Sequence, residues 1–300
     1  MNNDERRRTV HAFFLTDDNA FQREQARAAQ VAANRHGIAL TIRYAESNAL
    51  VQIHQLYESI HAKSGPVPDA IVVEPVAIEG MARAARNATA AGIGWVCIDA
   101  DAEDVEAPRA AHPELPVFAV GLDNVAVGEV AAAQILRLSG DRRGTSLLCV
   151  QGTHGSRTAA GRLQGLKDAL ASHDVSITGV DTNWTKSAAK VVVAEWLKLD
   201  PSKIDFVVGQ NDAVAEGARE AIGEVLGHAE RQRIGFIGCD GTVSEGQALV
   251  KSGVLAATIV VPPHSDVAVD AIAAFYAKGT VPPPKVVTKP TSFPPLEELG

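Results

Sequence analysis

Two stretches of the chain repeat one arrangement of apolar and polar residues. From Ile204, IDFVVG is an apolar run that stops in Gly209, Gln210, Asn211 and Asp212. AVAEGAREAIGEVLG then carries apolar residues at helical spacing, and RIGFIGCDGT is a second apolar run that stops at Asp240-Gly241. Earlier, DAIVVEP (Asp69 to Pro75), the helical stretch AIEGMARAARNATAAGI and GWVCIDAD, ending at Asp99 and Asp101, follow the same order. Strands whose apolar residues do not alternate are buried on both faces, as in a parallel sheet. In open parallel sheets ligands settle outside the carboxyl ends of the strands, and that is where the polar residues of both stretches gather.

The remaining segments extend this order. Residues 1–8 read as a polar tail, followed by the strand TVHAFFL, the loop Thr16 to Asn19, and a helix from about Phe21 to His36 that Gly37 stops. The strand ALTIRYA, a helix from about Ala49 to Lys63 and a Gly-Pro-Val-Pro connection lead into the Asp69 unit. Ala102 to Pro116 reads as an acidic, proline-containing loop, and VFAVGLDN restarts the pattern as a strand. The helix Val125 to Leu138, strand TSLLCVQG, helix Arg157 to Ser172, strand VSITGV and helix Lys186 to Leu199 then reach Ile204. After it come the strand VLAATIVVPP, the helix Ser265 to Lys278, a short strand KVVTK and a proline-rich tail. Repeated β-α units predict an α/β fold of parallel sheets covered by helices on both faces. A chain of 300 residues exceeds the roughly 100–200 of one domain and suits two. With no low-complexity linker between the halves, the first crossing is expected near Leu122, as a strand hinge rather than a tether.

Composition narrows the function. Hydrophobic residues make up 46% and charged residues 21%, the usage of an α/β protein with closely packed helices. A net charge of −8 argues against nucleic acid as a partner, and the basic run Arg6-Arg7-Arg8 precedes the first strand instead of lying on a recognition helix. Cys97, Cys149 and Cys239 are odd in number and sit inside apolar strands, so buried free thiols are expected, not a disulfide or a metal site. No apolar run approaches the roughly 20 residues of a membrane span. VHAFFL gives way at once to Asp17-Asp18, so no signal peptide is visible. The chain is expected to be periplasmic if a leader has been removed and cytoplasmic otherwise. No phosphate-binding GxxxxGK[ST], G-x-S-x-G elbow, dinucleotide G-x-G-x-x-G or metal-spaced His and Cys occurs, so neither an enzyme nor a cofactor or metal is expected.

In order, NAF near the first helix, PDAIVVEP, AAGI before the strand to CID, VGLDNVAVGEVAA, a Gly-Ser loop before GRLQGLKDAL, GQNDAVAEGA, IGCDGT and GVLAATI resemble the ribose-type periplasmic sugar-binding proteins and the effector domains of LacI-type repressors. The resemblance runs from about Val10 to Thr288. It implies two Rossmann-like, doubly wound parallel-sheet domains joined by a three-strand hinge, with a sugar clamped between them. The domains would comprise residues 9–122 with 262–284 and 123–261 with 285–300, the crossings falling near Leu122, Val261 and Lys285.

A sugar both donates and accepts hydrogen bonds, so its binder needs carboxylates, amides and an aromatic face. Asp17, Asp18 and Asn19 precede a helix and could simply cap it. Asn19 and Phe21 match the family's Asn-x-Phe, in which the amide reaches the sugar and the ring stacks on it. Asp99 matches a ligand aspartate, although Ala100 stands where an arginine is common; Asp101 is a substitute contact or a solvated charge. Asn211 and Asp212 could cap the following helix, the role expected of Asp212, while Asn211 also matches the ligand amide and Asp240 a second ligand aspartate. Trp184, in DTNWTK, falls where the family places a stacking aromatic, with packing on its strand as the other role. Ala160 replaces a ligand arginine, Arg162 matches a second arginine expected to be mostly structural, and Val261 replaces a polar contact. His154 could supply a donor or be solvated. With Asp17, Asp18, Glu74, Asp99, Asp101 and Asp240 at strand ends and the arginines absent, a ligand with an amine or an unusually polar sugar or polyol would fit best. Glu74 could equally face solvent. The resemblance implies a solute-binding protein serving a membrane permease of the ABC type or a receptor; the alternative is an intracellular or receptor-coupled sensor module without a DNA-binding domain.

Overall fold

The computed structural model describes residues 7–61, 67–140, 144–199 and 203–300. Residues 1–6 of the expected tail at 1–8, the helix end near Lys63 and the start of the Gly-Pro-Val-Pro connection lie outside them. The chain divides into two compact units, Met1–Leu122 with Pro263–Thr288 and Asp123–Pro262 with Lys289–Gly300.

In the first unit the order is β1 (Thr9–Phe14), α1 (Ala20–Arg35), β2 (Ala39–Tyr44), α2 (Ala49–Ile60), β3 (Ala70–Val73), α3 (Met81–Ala90), β4 (Gly94–Ile98), α4 (Glu106–Ala111) and β5 (Val117–Leu122). In the second it is α5 (Asn124–Ser139), β6 (Thr145–Gln151), α6 (Arg157–Leu170), β7 (Val175–Asp181), α7 (Lys186–Leu199), β8 (Phe206–Gly209), α8 (Asp212–Val225), α9 (His228–Arg233), β9 (Gly235–Asp240), α10 (Gly246–Lys251) and β10 (Ala257–Val260). The chain then returns to the first unit for α11 (Ser265–Lys278) and β11 (Lys285–Thr288), and ends in the second with β12 (Thr291–Phe293).

The first sheet is parallel, in the order β11-β5-β4-β3-β1-β2. Every residue of β3, β4 and β5 is buried, which is why their sequences do not alternate. The alanine face of α1, with Ala29, Ala32 and Ala33, packs with Ala268, Val269 and Ile272 of α11 in one core over the sheet. Gln25 in α1 pins the start of α11, its Oε1 accepting from the backbone amides of His264 and Ser265 at 3.0 and 3.1 Å. On the other face Trp95, Leu56, Ile71 and Ile93 form a second core.

The second sheet has the order β12-β10-β9-β8-β6-β7, parallel except for the antiparallel edge strand β12. Helices α5 and α6 approach backbone to backbone at two glycines: a Cβ on Gly165 would lie 2.0 Å from the Val125 carbonyl oxygen, and one on Gly128 would lie 2.2 Å from that of Arg162. Between α7 and α8, Lys186 pairs with Glu216 and Glu220, and Lys190 with Glu220 and Glu224.

The structure corrects several expectations. KVVTK does not begin the second unit: β11 pairs in register with β5, from Lys285 with Ala119 to Thr288 with Leu122, so the last crossing follows Thr288. The proline-rich tail contains β12, whose Thr291 to Phe293 pair with β10. The supposed loop 102–116 holds α4, in which Pro108 falls in the first turn, where a missing amide costs nothing. Helices α9 and α10 are six residues each, too short for periodicity to reveal. The three cysteines are buried and form no disulfide, and burial pushes the Cys149 and Cys239 thiols up to about 12.

Candidate functional site

In both sheets the chain runs outward from an inner strand in two directions. β1 has β2 on one side and β3 on the other, and β6 has β7 and β8. Loops leaving the carboxyl ends of such a pair diverge and open a crevice at that point. Both crevices are bridged by buried amides.

In the first unit Gln22, in the first turn of α1, donates from Nε2 to Glu74 Oε1 at 2.7 Å across the β1–β3 gap and accepts from the Leu15 amide at 3.1 Å. Gln52 braces the same loop, donating to the Glu74 carbonyl at 2.8 Å and accepting from the Val76 amide at 2.8 Å. Glu74 is therefore a buried strut, not a solvent-facing charge. Asn19 is the N-cap of α1, its Oδ1 accepting from the Gln22 amide at 2.9 Å, which leaves the two donors of its amide nitrogen for another partner. Asn19 is exposed and Phe21 half-buried, at the mouth of the crevice. Asp17 and Asp18 are exposed and do not cap α1; the Asp18 amide donates to Thr16 Oγ1. Asp99 ends β4, exposed, with φ of 54°. Asp101, partly exposed, pairs with Lys285 at the start of β11 and caps the short turn 102–104 together with Asp104. With Glu74 and Asp101 paired to Gln22 and Lys285, Asp17, Asp18, Asp99 and Asp240 remain of the carboxylates that favoured an amine ligand.

In the second unit Gln210 plays the part of Gln22. It is buried, accepts from the Gly152 amide at 3.0 Å and donates to the Ala159 carbonyl at 2.9 Å, tying the loop after β6 to the end of β8. Asn211 caps α8, accepting from the Val214 amide at 2.8 Å, and its Nδ2 donates to the Trp184 carbonyl at 3.0 Å. Both ends of that amide hold structure, so Asn211 acts first by positioning Trp184. The indole lies against Gly152, with the Arg162 guanidinium 5.7 Å from its ring centroid. Arg162 is buried and donates to the Gln210 carbonyl and to Asn124 Oδ1. His154 is 90% exposed and 2.8 Å from Asp181. Val261 and Ala100 are buried, and Ala160 is exposed.

Asp212 is the residue the sequence underestimates. It does not cap α8: its carboxylate is buried, accepting from Thr258 Oγ1 at 2.6 Å and from the Gly241 amide at 2.9 Å, and so holds the Asp240-Gly241 turn. The niche exists because Gly238 and Gly246 lack side chains, whose Cβ atoms would lie 2.1 and 2.2 Å from its oxygens. Those flanking glycines were the available signal. Burial pushes Asp212 up to about 7, with Glu245 adding to the rise and the Thr258 and Gly241 hydrogen bonds and Arg162 opposing it. A folded-state pKa above the unfolded value means that the native state keeps a proton the unfolded chain has released. This group's contribution to stability is therefore full below about pH 4 and falls as the pH rises to about 7. Asp212→Asn can still accept from the Gly241 amide and, with the Thr258 bond reversed, donate to that hydroxyl, all without the charge, so its stability relative to wild type should improve by on the order of 2 kcal/mol between pH 5 and pH 8 in urea unfolding. A pH-independent difference would contradict the burial of a titrating carboxyl.

Among the described residues five non-glycine residues have positive φ, and three of them are Asp99, Trp184 and Asp240, at 54°, 69° and 105°. For a bulky residue such a backbone is strained, and strain of this kind persists where the surrounding fold holds it for a purpose. In each unit, then, one sheet edge carries amides, a carboxylate and an aromatic ring on a rigid base. Such an edge can exchange hydrogen bonds with a hydroxylated ligand and cover an apolar ring face. Among the described residues no group of His, Cys, Asp and Glu is arranged to hold a metal, and no helix is long and apolar enough to cross a membrane.

Comparison with known proteins agrees with this geometry. A family model described as periplasmic binding protein domain matches residues 13–279. A xylitol-binding protein of Mycolicibacterium smegmatis is 30% identical over 189 residues, 62% of this chain but 49% of that protein, so the match spans about half of the relative's length. The ribose import binding protein of Haemophilus influenzae is 26% identical over 259 residues, 85% of this chain and 80% of that one. Among solved structures, a solute-binding protein of Actinobacillus succinogenes with bound D-allose superimposes with a TM-score of 0.80 at 23% identity, covering 95% and 97% of the two chains. At that identity the likeness is one of fold.

Proposed function

The chain belongs to the periplasmic binding protein family, and we propose that it binds a small polyhydroxylated solute, a monosaccharide or polyol, without turning it over. The observation that carries this reading is the positive-φ backbone at Asp99, Trp184 and Asp240, all on strand-end loops at the crevice edges of their sheets. The residues proposed to contact the ligand are Asn19, Phe21 and Asp99 in the first unit and Trp184, Asn211 and Asp240 in the second, and the bound protein serves an ABC-type permease from the periplasmic side. The relatives named for xylitol and ribose favour a neutral polyol or sugar, in keeping with the engagement of Glu74 and Asp101 within the fold.

A thermal-shift screen against ribose, allose, xylitol and inositols, with amino sugars as the contrasting set, tests the class, because a ligand bound only by the native state raises the melting temperature. At least one neutral member should shift it and the amines should not. Asp240→Ala should then weaken that ligand by about ten- to hundredfold in calorimetry, the cost of leaving a buried ligand hydroxyl unpaired. A normal Kd in this variant would move the site away from the β9 turn.

A further inference from the structure

The amino-terminal edge of the second sheet, opposite the edge that carries Asn211 and Asp240, has a pocket of its own. Its volume is about 460 Å³, and it lies among the starts of β8 and β9, the loop before β10, and helices α8 and α9. Buried Phe206, Ile234, Phe236 and Leu255 line it with apolar surface. Three guanidinium groups, of Arg219, Arg231 and Arg233, line the same space.

These arginines differ in one respect. Arg233 is neutralised, by Glu230 at 2.7 Å and by Asp205, which Lys203 also contacts at 2.9 Å. Arg219 and Arg231 form no ion pair among the described residues. The nearby Glu216 is held by Lys186 at 2.8 Å. Arg231 crosses α8 at Gly223, where a Cβ would lie 2.8 Å from its Nη1, and its Nη2 donates to His228 Nδ1 at 2.8 Å. Its Nε is buried without an acceptor. Arg219 sits over the Phe236 ring, 5.8 Å from the centroid. Burial and the like charge of Arg231 hold the Arg219 pKa below its ordinary value, with Glu216 opposing them.

We propose that this pocket is a binding site for a small organic oxyanion, a phosphate- or carboxylate-bearing metabolite with an apolar body, held by Arg219 and Arg231. Two like charges without a carboxylate between them, in a protein of net charge −8, are a poor arrangement unless an anion completes it. A guanidinium offers an oxyanion parallel donors, and Arg219 and Arg231 bring two of them to one space. The volume lies within the roughly 300–1,000 Å³ of small-molecule sites and exceeds what bare phosphate fills, and the aromatic walls suit an apolar remainder. The site is separate from the proposed solute site and stands or falls without it.

Calorimetry with phenyl phosphate, benzoate and inorganic phosphate, at ionic strength matched with sodium chloride, tests this. Phenyl phosphate should bind, inorganic phosphate more weakly, and R219Q and R231Q should each weaken binding about tenfold or more. The melting temperature of unliganded R231Q should be unchanged or higher, since a like-charge contact is relieved, whereas a purely structural arginine would lower it. R219K and R231K keep the charge, lose the planar fork and serve where a glutamine variant does not fold. R35Q, an exposed arginine in the first unit, is the control. No heat from any probe with wild type, or undiminished binding in R219Q and R231Q, would overturn the proposal.

Discussion

Gly152→Ala is expected to weaken solute binding by about ten- to hundredfold while the unliganded protein stays folded, at about 1.4 kcal/mol per factor of ten. A Cβ at this position would fall 2.0 Å from Cε2 and Cζ2 of Trp184 and 2.4 Å from Cη2. The indole cannot yield by a small rotation, because its backbone is held at a φ of 69°, its amide donates to Thr182 Oγ1 and its carbonyl accepts from Asn211. The ring must leave its place against Gly152, and with it goes the aromatic face offered to the ligand. Calorimetry on the solute found in the screen checks this, with Trp184→Ala as the reference. Asn211→Asp separates the two jobs of that residue, since it keeps the α8 cap and loses the donor to the Trp184 carbonyl. An unaltered Kd in Gly152→Ala would show that Trp184 packs on its own unit and touches no ligand.

Gly165→Ala should lower the melting temperature by several degrees. The added methyl group would meet backbone, the Val125 carbonyl oxygen at 2.0 Å and its carbon at 2.8 Å, so no side-chain rotation relieves it and α6 must move off α5. Overpacking of this kind costs about 1–3 kcal/mol and sometimes more, at about 2–4 °C per kcal/mol for a domain of this size. Gly155→Ala, on a loop with open space around it, marks how little a methyl group costs outside a helix contact, apart from the strain of its φ of 77°. Thermal unfolding of the two variants side by side makes the comparison, and equal melting temperatures would mean that α5 and α6 are not in backbone contact.

Both predictions rest on distances that no pattern of residues contains, yet much of the architecture is local. The runs AIVV, GWVCI and VFAVGL are apolar without alternation because their strands are covered on both faces, and each is a buried parallel strand. Asn19, Asn48 and Asn211 stand immediately before helical periodicity and cap the helices that follow, since capping is a contact over three residues. The strand-end position of Asp99, Asn211 and Asp240 follows from the same short-range order. What each polar group does there depends on partners far along the chain. Asp101 is answered by Lys285, Glu74 by Gln22, and Asp212 by Thr258, so charges that look available in the sequence are committed once the sheets form. KVVTK and TSF carry equal local claims to either sheet; hydrogen bonding with β5 and β10 assigns them, because a short edge strand has no register until a neighbouring strand supplies one. Arg219 and Arg231 lie twelve residues apart, on two helices, and only the turn at Gly227 and the gap at Gly223 bring two like charges to one pocket.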